Sequence, residues 1–369
     1  MRTLVCYISG HGFGHAVRVM EVLRALWQRQ PDLRVLVRTA VPRWFLDTKL
    51  SNPFLHEVCR LDVGAVQADS LSVDVDATLR AYAEIDARKE ALITAEVTAI
   101  APYRPDCILA DIPALAFDIA RRLNVPGIAM ANFSWDWIYA DYVRDSPAHA
   151  GLVESLRQSY GSATLLLRLP FHGDLSAFPR IRDVPLVART ARLDRATVCR
   201  RLGLPLHDRL VLLSFGGIGT ALRTAPAAPA GVTFIVTEGA VARTSVPPPC
   251  RLVSNDSLRA VAVGHEDLVA ACDAVMTKPG YGTVAECIAN GTPMIYTARG
   301  RFAEYVFLVE GIKTHLPHAF ISHSDLFAGR WQPALEEIFD QPRRPPAVAT
   351  NGAAVVAEIL LDYCTGRHG

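Results

Sequence analysis

Two glycine-rich turns, each between an apolar run and a helical pattern, constrain what this chain can fold into. Residues 10–15 read Gly-His-Gly-Phe-Gly-His after the apolar run of residues 4–8, and residues 278–283 read Lys-Pro-Gly-Tyr-Gly-Thr. Glycines let the backbone approach a ligand closely, and the N-terminus of the following helix offers unpaired N–H groups to an anion. Two such units predict two α/β domains that bind one phosphorylated ligand.

Length and composition limit the class of protein. The 369 residues are enough for two domains, since single cores stop growing near ~250–300 residues. No run of ~18 apolar residues is present, and no cleavage site precedes the first strand, so we expect a cytoplasmic protein without a transmembrane segment. The net charge of +1 predicts no general attraction to nucleic acid and leaves peripheral membrane contact open. The eight cysteines lack Cys-x-x-Cys spacing and are expected to be reduced, buried thiols.

The order of apolar and helical segments predicts parallel sheets. Strand-like runs alternate with helical patterns, which is typical of β-α-β units. The predicted strands after the first lie at residues 33–37, 107–110, 127–130, 210–215, 233–236, 261–263, 274–276 and 294–296. A long amphipathic helical segment is predicted over residues 78–100, and a last helix over residues 353–363.

Domain boundaries follow from a loss of this pattern. Residues 179–192 collect Pro and Arg without a period, as expected of a linker. We predict an N-terminal Rossmann-like domain over residues 1–185 and a C-terminal one over residues 186–345. The segment over residues 346–369 is expected to be a helix that crosses back to the first domain.

The first turn also suggests dinucleotide binding, which its spacing does not favour. Residues 10–14 read Gly-x-Gly-x-Gly, where the dinucleotide fingerprint is Gly-x-Gly-x-x-Gly. No acidic residue follows the second strand to hold an adenosine ribose, and Arg38 there leaves only an NADP-binding alternative open. We therefore expect no bound cofactor.

Two histidines of the first turn carry candidate chemistry. His11 and His15 are four residues apart, but the glycines between them predict a turn rather than the helix that would align two metal ligands. We therefore predict no metal site. Two interpretations stay open for His15: a helix N-terminal histidine that bonds the backbone, or a general base, since free imidazole titrates near neutral pH.

A carboxylate at the end of a predicted strand is a candidate partner for His15. Asp111 ends the strand-like run of residues 107–111, and ligands of parallel sheets bind outside the carboxyl ends of the strands. Asp111 would orient the imidazole and stabilise its charged form. The alternative is that Asp111 caps the helix that follows Pro113.

The second half of the chain adds further candidates for anion binding. Gly216, Gly217 and Gly219 follow a predicted strand and form a second anion-binding turn. Thr283 and Glu286 have the spacing of a capping box, which alone would explain Glu286. The alternative has Glu286 accept hydrogen bonds from ribose hydroxyls, beside a diphosphate at the same helix end.

These residues, in this order, resemble the GT-B glycosyltransferases, most nearly the branch that contains the N-acetylglucosaminyltransferase of peptidoglycan synthesis. Residues 10–18, 61–69, 132–140, 183–187 and 280–286 are also similar to the glycosyltransferase-like N-terminal domain of plant L-arabinokinases. This similarity covers nearly the whole chain, and the string at residues 132–140 is specific. We expect the sugar-kinase domain of the plant proteins to be absent, so arabinokinase activity is not carried over.

The resemblance implies two Rossmann-like domains that face a central cleft. The first would bind a hydroxyl acceptor, with His15 and Asp111 as catalytic residues. The second would bind a nucleotide-diphospho sugar, in the first place a UDP-sugar, from which a hexosyl or pentosyl group is transferred. Four aromatic residues either line the acceptor pocket or belong to the core: Phe133, Trp135, Trp137 and Tyr139.

Donor binding is implied for a larger set of residues. These are Gly12, Gly14, Gly216, Gly217, Gly219, His265, Lys278, Gly280, Tyr281, Gly282, Thr283, Glu286, Arg301 and Glu304. Glu304 stands where the family has an amide in its sugar-binding segment, which leaves the donor sugar open. Helix N-termini and Lys278, with Arg299 or Arg301, would offset the charge of the departing diphosphate. Two alternatives remain, a nucleotide-sugar epimerase of the same fold and a non-catalytic UDP-sugar sensor.

Overall fold

Two compact units make up the chain. The computed structural model describes residues 2–67, 71–215, 229–237, 250–343, 345, 346 and 348–366. Unit 1 comprises Met1–Val66, Asp74–Val187 and Thr350–Gly369, and unit 2 comprises Gln67–Val73 and Ala188–Ala349. Each unit has its own parallel sheet, which confirms the predicted two-domain α/β fold.

Unit 1 is built on strands that follow the apolar runs of the sequence. Its described strands are β1 (Thr3–Ile8), β2 (Arg34–Thr39), β3 (Leu55–Glu57), β4 (Cys107–Asp111), β5 (Gly127–Ala131), β6 (Leu165–Arg168) and β7 (Ile181–Asp183). They lie in the order β3-β2-β1-β4-β5-β6-β7, and all neighbours are parallel. Every residue of β1 is at most 2% exposed, as expected for a central strand that is covered on both faces.

Helices connect these strands. Those of unit 1 are α1 (Gly14–Arg29), α2 (Arg43–Asp47), α3 (Val75–Ala87), α4 (Lys89–Ile100), α5 (Leu115–Leu123), α6 (Trp135–Tyr142), α7 (Ala150–Tyr160) and the last helix of the chain, α15 (Gly352–Thr365). The predicted long helix over residues 78–100 is two helices, because the backbone leaves the helical conformation at Arg88. α15 belongs to unit 1 and packs against α1 and β4.

The strand order of unit 1 identifies where a ligand would bind. β1 continues through α1 to β2 on one side, whereas β4 and β5 lie on the other side. The order therefore reverses between β1 and β4, whose last residues Ile8 and Asp111 are paired. Open α/β sheets bind ligands outside the carboxyl ends of the strands at such a reversal.

Unit 2 repeats this architecture. Its described strands are β8 (Arg209–Leu213), β9 (Val232–Thr237), β10 (Arg251–Val253), β11 (Ala274–Thr277), β12 (Met294–Tyr296) and β13 (His318–Phe320), and its described helices are α8 (Arg195–Leu202), α9 (Asn255–Ala260), α10 (His265–Ala271), α11 (Tyr281–Asn290), α12 (Glu304–His315), α13 (His323–Ala328) and α14 (Gln332–Phe339). The parallel strands lie in the order β10-β9-β8-β11-β12-β13, so the reversal falls between β8 and β11. In the hydrophobic core of unit 2, the rings of Phe234 and Trp331 pack edge to face with their centres 5.0 Å apart.

The sequence pattern predicted one strand that does not form and missed several that do. The apolar residues 261–263 form a turn after α9 rather than a strand, and Ala262 takes a positive φ of 51° there. The strands β3, β6, β10 and β13 were not predicted, and β7 lies inside the predicted linker at residues 179–192. Within the described ranges, every helix is too short or too polar to cross a membrane.

Candidate active site

His15 lies at the reversal point of unit 1, in the first turn of α1 rather than at the end of β1. β1 ends at Ile8, and the glycine-rich turn leads into the helix that begins at Gly14. Asp111 ends the neighbouring strand β4. The turn therefore brings the imidazole to this carboxylate, and His15 Nδ1 lies 2.7 Å from Asp111 Oδ1.

A guanidinium group binds the same carboxylate. Arg18 follows His15 by three residues, so both side chains lie on one face of α1. Arg18 Nε donates to Asp111 Oδ2 at 2.5 Å, and Nη2 donates to Oδ1 at 2.6 Å. Arg18 Nη1 donates to the Oδ1 atom of Asn132, just after β5, at 2.8 Å. All four side chains belong to residues at most 6% exposed.

These partners hold Asp111 ionised. Burial alone would raise the pKa of Asp111, but the neighbouring Arg18 guanidinium, and after it His15, outweigh burial, and the pKa lies below its ordinary value. α5 begins at Leu115 with Ala114 as its N-cap. The alternative that Asp111 caps this helix is therefore wrong, and His15 Nδ1 bonds a carboxylate rather than the backbone.

A second carboxylate lies beside this group. Asp62 accepts a hydrogen bond from Trp135 Nε1 at 3.0 Å and another from Ser9. Burial raises the pKa of Asp62, which these hydrogen bonds and the nearby His15 only partly offset. The segment that carries Asp62 is also fixed to α6, because Tyr139 Oη donates to the carbonyl oxygen of Gly64 at 2.7 Å.

The aromatic residues after β5 belong mainly to the core. Phe133, Trp135 and Tyr139 are at most 3% exposed, whereas Trp137 is half-buried. The Phe133 ring packs edge to face on His15, with ring centres 5.6 Å apart. Phe133 and Trp135 thus pack against the two histidines, whereas Tyr139 packs on the Trp135 ring.

His11 has a structural partner in the same unit. Its Nδ1 accepts a hydrogen bond from the backbone N–H of Ala65 at 3.2 Å, and its ring packs against Trp135 at 5.4 Å. In the described part of the chain, no group of three or more His, Cys, Asp or Glu residues is placed to hold a metal ion.

The contacts of Arg38 disfavour the NADP-binding alternative. Its Nε and Nη2 donate to the carboxylate of Glu96 at 3.0 and 2.5 Å, and its Nη1 binds Glu57. A 2′-phosphate would meet two carboxylates at this position, and like charges repel at such distances.

In unit 2, the second glycine-rich turn leads from β11 into α11. The helix begins at Tyr281 with Gly280 as its N-cap. A Cβ atom added at Gly280 or Gly282 would meet no atom within 4 Å, so a ligand has room to approach this backbone and the first N–H groups of the helix. Lys278 is half-buried in the same turn. The residues Gly216, Gly217 and Gly219 lie outside the described residues.

Thr283 and Glu286 do not form a capping box. Because α11 begins at Tyr281, Thr283 is its third residue and Glu286 lies inside the helix. The Glu286 carboxylate instead accepts a hydrogen bond on Oε1 from Arg189 Nε at 2.6 Å, and its Oε2 lies 3.0 Å from His265 Nδ1. Arg189 Nη1 also pairs with Glu266 Oε2 at 3.0 Å. Glu286 is thus the centre of a buried ionic cluster.

The sugar-binding segment suggested by the resemblance precedes α12. Here Arg299 Nη1 donates to Glu304 Oε2 at 3.1 Å and to the carbonyl oxygen of Pro279 at 3.3 Å. The guanidinium also lies 4.0 Å above the Phe302 ring. Glu304 is buried and Arg301 is exposed. Arg299 therefore connects this segment with the turn before α11.

The residues of these groups that sequence reasoning missed include Arg18, Asp62, Asn132 and Arg189. The spacing of Arg18 from His15 was a usable signal, since residues three apart share a helix face. Asp62 and Asn132 lie in the strings at residues 61–69 and 132–140 that carry the resemblance, and Arg189 lies outside them. None of the three had a local signal for its partner, because the hydrogen bonds that involve them join residues 73, 114 and 97 positions apart.

Replacing Glu286 with glutamine is expected to remove a pH-dependent part of the stability. Burial would raise the pKa of Glu286, but Arg189 and then His265 lower it from 4.5 to about 2. The folded-state pKa is below the unfolded value, so this stabilisation is present above pH 4.5 and is lost as the pH falls toward 2. The shift corresponds to about 3 kcal/mol at neutral pH.

Denaturant unfolding of both proteins between pH 2.5 and 7 would measure this difference. The two free energies of unfolding should differ at pH 7 and converge at the acid end; a constant difference would contradict the assignment. Calorimetry with UDP on the same variant tests the ribose role, which predicts weaker binding by roughly 1–3 kcal/mol. The carboxylate oxygens keep further lone pairs for such hydroxyls, and that role remains a prediction.

One known protein is similar to nearly the whole length of this chain. No family model matches the chain. The chain is 33% identical over 368 residues to L-arabinokinase of Arabidopsis thaliana, an alignment that covers 98% of this chain and 34% of the relative. The chain thus spans about a third of the length of this curated relative.

Solved structures with the same fold include three glycosyltransferases. The glycotransferase of kitacinnamycin matches with a TM-score of 0.64 at 14% identity and 98% coverage of both chains. CalG4, the calicheamicin glycosyltransferase, matches with 0.61 at 15% identity, covering 99% of this chain and 98% of its own. Arabidopsis thaliana UGT89C1 complexed with UDP matches with 0.59 at 15% identity, covering 99% of this chain and all of its own. At these identities the likeness establishes the fold.

Proposed function

We propose that this chain, which has the GT-B fold of glycosyltransferases, transfers a sugar from a nucleotide-diphospho sugar to a hydroxyl acceptor. The observation that carries the proposal is the buried group of His15, Asp111 and Arg18 at the reversal point of unit 1. A UDP-sugar is the first candidate donor, since one protein of the same fold was solved in complex with UDP.

The acceptor chemistry follows from the bonding of His15. Its Nδ1 is committed to Asp111, so Nε2 is the nitrogen that would accept a proton. The acceptor hydroxyl would give its proton to Nε2 while its oxygen attacks the anomeric carbon. The bond from that carbon to the diphosphate oxygen breaks, and the nucleoside diphosphate departs with the electron pair. Asp111 would stabilise the imidazolium formed in this step.

The donor chemistry uses the turn before α11. The N-terminal N–H groups of α11 and the open space above Gly280 and Gly282 suit a diphosphate. Lys278 lies in this turn, and Arg299 bonds its Pro279 carbonyl oxygen. These positive groups would offset the charge that develops on the departing diphosphate, a role in which preorganised donors are most effective.

A donor screen tests the proposal against the two alternatives. Nucleoside diphosphates are first titrated by calorimetry, and the best binder selects the donor series. The series should contain UDP-pentoses as well as UDP-hexoses, because the relative from Arabidopsis thaliana is named L-arabinokinase, and arabinose is a pentose. Each donor is then incubated alone and with an acceptor collection, and products are identified by mass spectrometry and chromatography.

The outcomes are distinct. A transferase releases UDP slowly from the donor alone and forms a conjugate with an acceptor. An epimerase would convert the donor unaided into an isomer, and a sensor would bind the donor without turnover. Either of these last two results would replace the proposed function. Absence of nucleotide binding would contradict all three.

A further inference from the structure

Arg18 holds a position that a simple histidine–carboxylate pair does not require. Its guanidinium bonds both oxygens of Asp111 through Nε and Nη2, and its third nitrogen bonds Asn132. Such a bidentate arginine–carboxylate contact fixes the carboxylate plane as well as its position. Asp111 therefore has a second hydrogen-bonding partner besides His15.

The two partners of Asp111 bind the same oxygen atom, Oδ1. Oδ1 of Asp111 lies 2.7 Å from His15 Nδ1 and 2.6 Å from Arg18 Nη2, whereas Oδ2 is bound by Arg18 Nε at 2.5 Å. A rotation of the carboxylate that improved one of these bonds would weaken another. The orientation of the His15 ring is therefore coupled to the position of the Arg18 fork through a single carboxylate.

We propose that Arg18 is a positioning residue for transfer, which fixes the carboxylate of Asp111 in the plane where Oδ1 meets His15 and keeps that carboxylate ionised. The kinetic part of this assignment rests on the proposed function. The electrostatic part does not, because it concerns only the state of Asp111.

The charges around Asp111 explain why the guanidinium is needed. His15 and Arg18 face Asp111 from α1, the neutral Asn132 binds Arg18 from the end of β5, and the Asp62 carboxylate acts from the segment at residues 61–66. Without Arg18, Asp111 would be a buried acid beside a second acid, and burial would raise its pKa. A protonated Asp111 would no longer favour the imidazolium that forms when His15 accepts a proton.

The test compares Arg18→Gln and Arg18→Lys with the wild type. Arg18→Gln removes both the charge and the fork, whereas Arg18→Lys keeps the charge and removes the fork. Arg38→Gln is the matched control, because Arg38 is an equally buried arginine of unit 1 that pairs with Glu57 and Glu96 instead. Thermal melts of all variants establish which of them are folded.

The first readout is a carbon-13 NMR titration of aspartate carboxyl groups, with the Asp111 signal assigned by its loss in Asp111→Asn. In Arg18→Gln the Asp111 midpoint is expected to rise by about 1–3 pH units. In Arg18→Lys it should rise by less than half as much, and in Arg38→Gln it should not move. An unchanged midpoint in folded Arg18→Gln would overturn the electrostatic role.

The second readout is donor turnover as a function of pH. Arg18→Gln is expected to move the acid limb to higher pH, and Arg18→Lys to move it in the same direction by less than half as much. Both should lower kcat by about tenfold or more at the pH optimum, with KM for the donor little changed. A wild-type kcat in Arg18→Lys would overturn the positioning role. The Arg18→Lys variant therefore tests that role even if Arg18→Gln does not fold. If the Asp111 midpoint rises in Arg18→Gln but the wild-type protein shows no donor turnover, the electrostatic role stands and only the proposed function is contradicted.

Discussion

Replacing His15 with alanine is expected to lower glycosyl transfer by about 10²–10⁴-fold, the range for loss of a general base. The affinity for UDP should be nearly unchanged, because the proposed diphosphate site is the turn before α11, whereas His15 is proposed to act on the acceptor. Initial rates with a saturating donor, beside calorimetry with UDP, would measure both quantities. Until an acceptor is found, slow donor hydrolysis serves as the rate.

His149→Ala is the control for this experiment, since His149 precedes α7 in the same unit and takes no part in the group around Asp111. Asp111→Asn should have a similar but smaller effect, because the imidazole keeps a hydrogen-bond partner but loses a negative charge. Wild-type turnover in His15→Ala would exclude His15 as the base and point to His11 or Asp111. Loss of UDP binding would instead mean that His15 contacts the diphosphate.

Replacing Gly282 with valine is expected to abolish UDP binding, with at least about a hundredfold loss of affinity, or ~3 kcal/mol. A side chain at this position would occupy the space through which a phosphate approaches the first turn of α11. The added Cβ meets no protein atom within 4 Å, so the fold itself has room for it. Calorimetry with UDP on a variant of near wild-type melting temperature would show the effect.

Gly151→Val provides the matched control. Gly151 is the second residue of α7, as Gly282 is of α11, and a Cβ there also meets no atom within 4 Å. Both substitutions therefore add the same β-branched side chain to the first turn of a helix, and their intrinsic costs should be similar. If Gly282→Val binds UDP as Gly151→Val does, the donor site lies elsewhere.

Local signals predicted the framework of this protein well. The run at residues 4–8 is a central strand with every residue buried, so its apolar pattern had no competing interpretation. The turn that follows is also clear in the sequence, because Gly10 and Gly12 separate the strand that ends at Ile8 from the helix that begins at Gly14. The pairing of His15 with Asp111 was predictable for a related reason, since the carboxyl ends of neighbouring parallel strands meet at one sheet edge.

The same reasoning did not predict the two edge strands of unit 2. β10 and β13 have three residues each and lie at the two ends of the sheet of unit 2. Leu252 and Phe320 in them are 46% and 50% exposed, so neither strand has the continuous apolar run of a central one. Pairing with a neighbour, rather than local composition, makes these residues strands.

The capping box failed because a local pattern competed with a tertiary one. Thr283 and Glu286 have the required spacing, but α11 already begins at Tyr281 after Gly280. The Glu286 carboxylate is then drawn to Arg189, a residue 97 positions away that no local pattern could associate with it. Buried charges of this kind are determined by their partners, which sequence spacing does not reveal.

The return of the last helix to unit 1 determines the order in which the chain can complete its fold during translation. α15 packs on α1 and β4, and a Cβ added at Gly352 would lie 2.1 Å from the carbonyl oxygen of Pro185. The residues of α15 leave the ribosome only after Ala188–Ala349 have been made. Unit 1, whose synthesis begins first, is therefore completed last. A nascent chain stopped before residue 350 should therefore leave the apolar face of α1 uncovered and available to a chaperone.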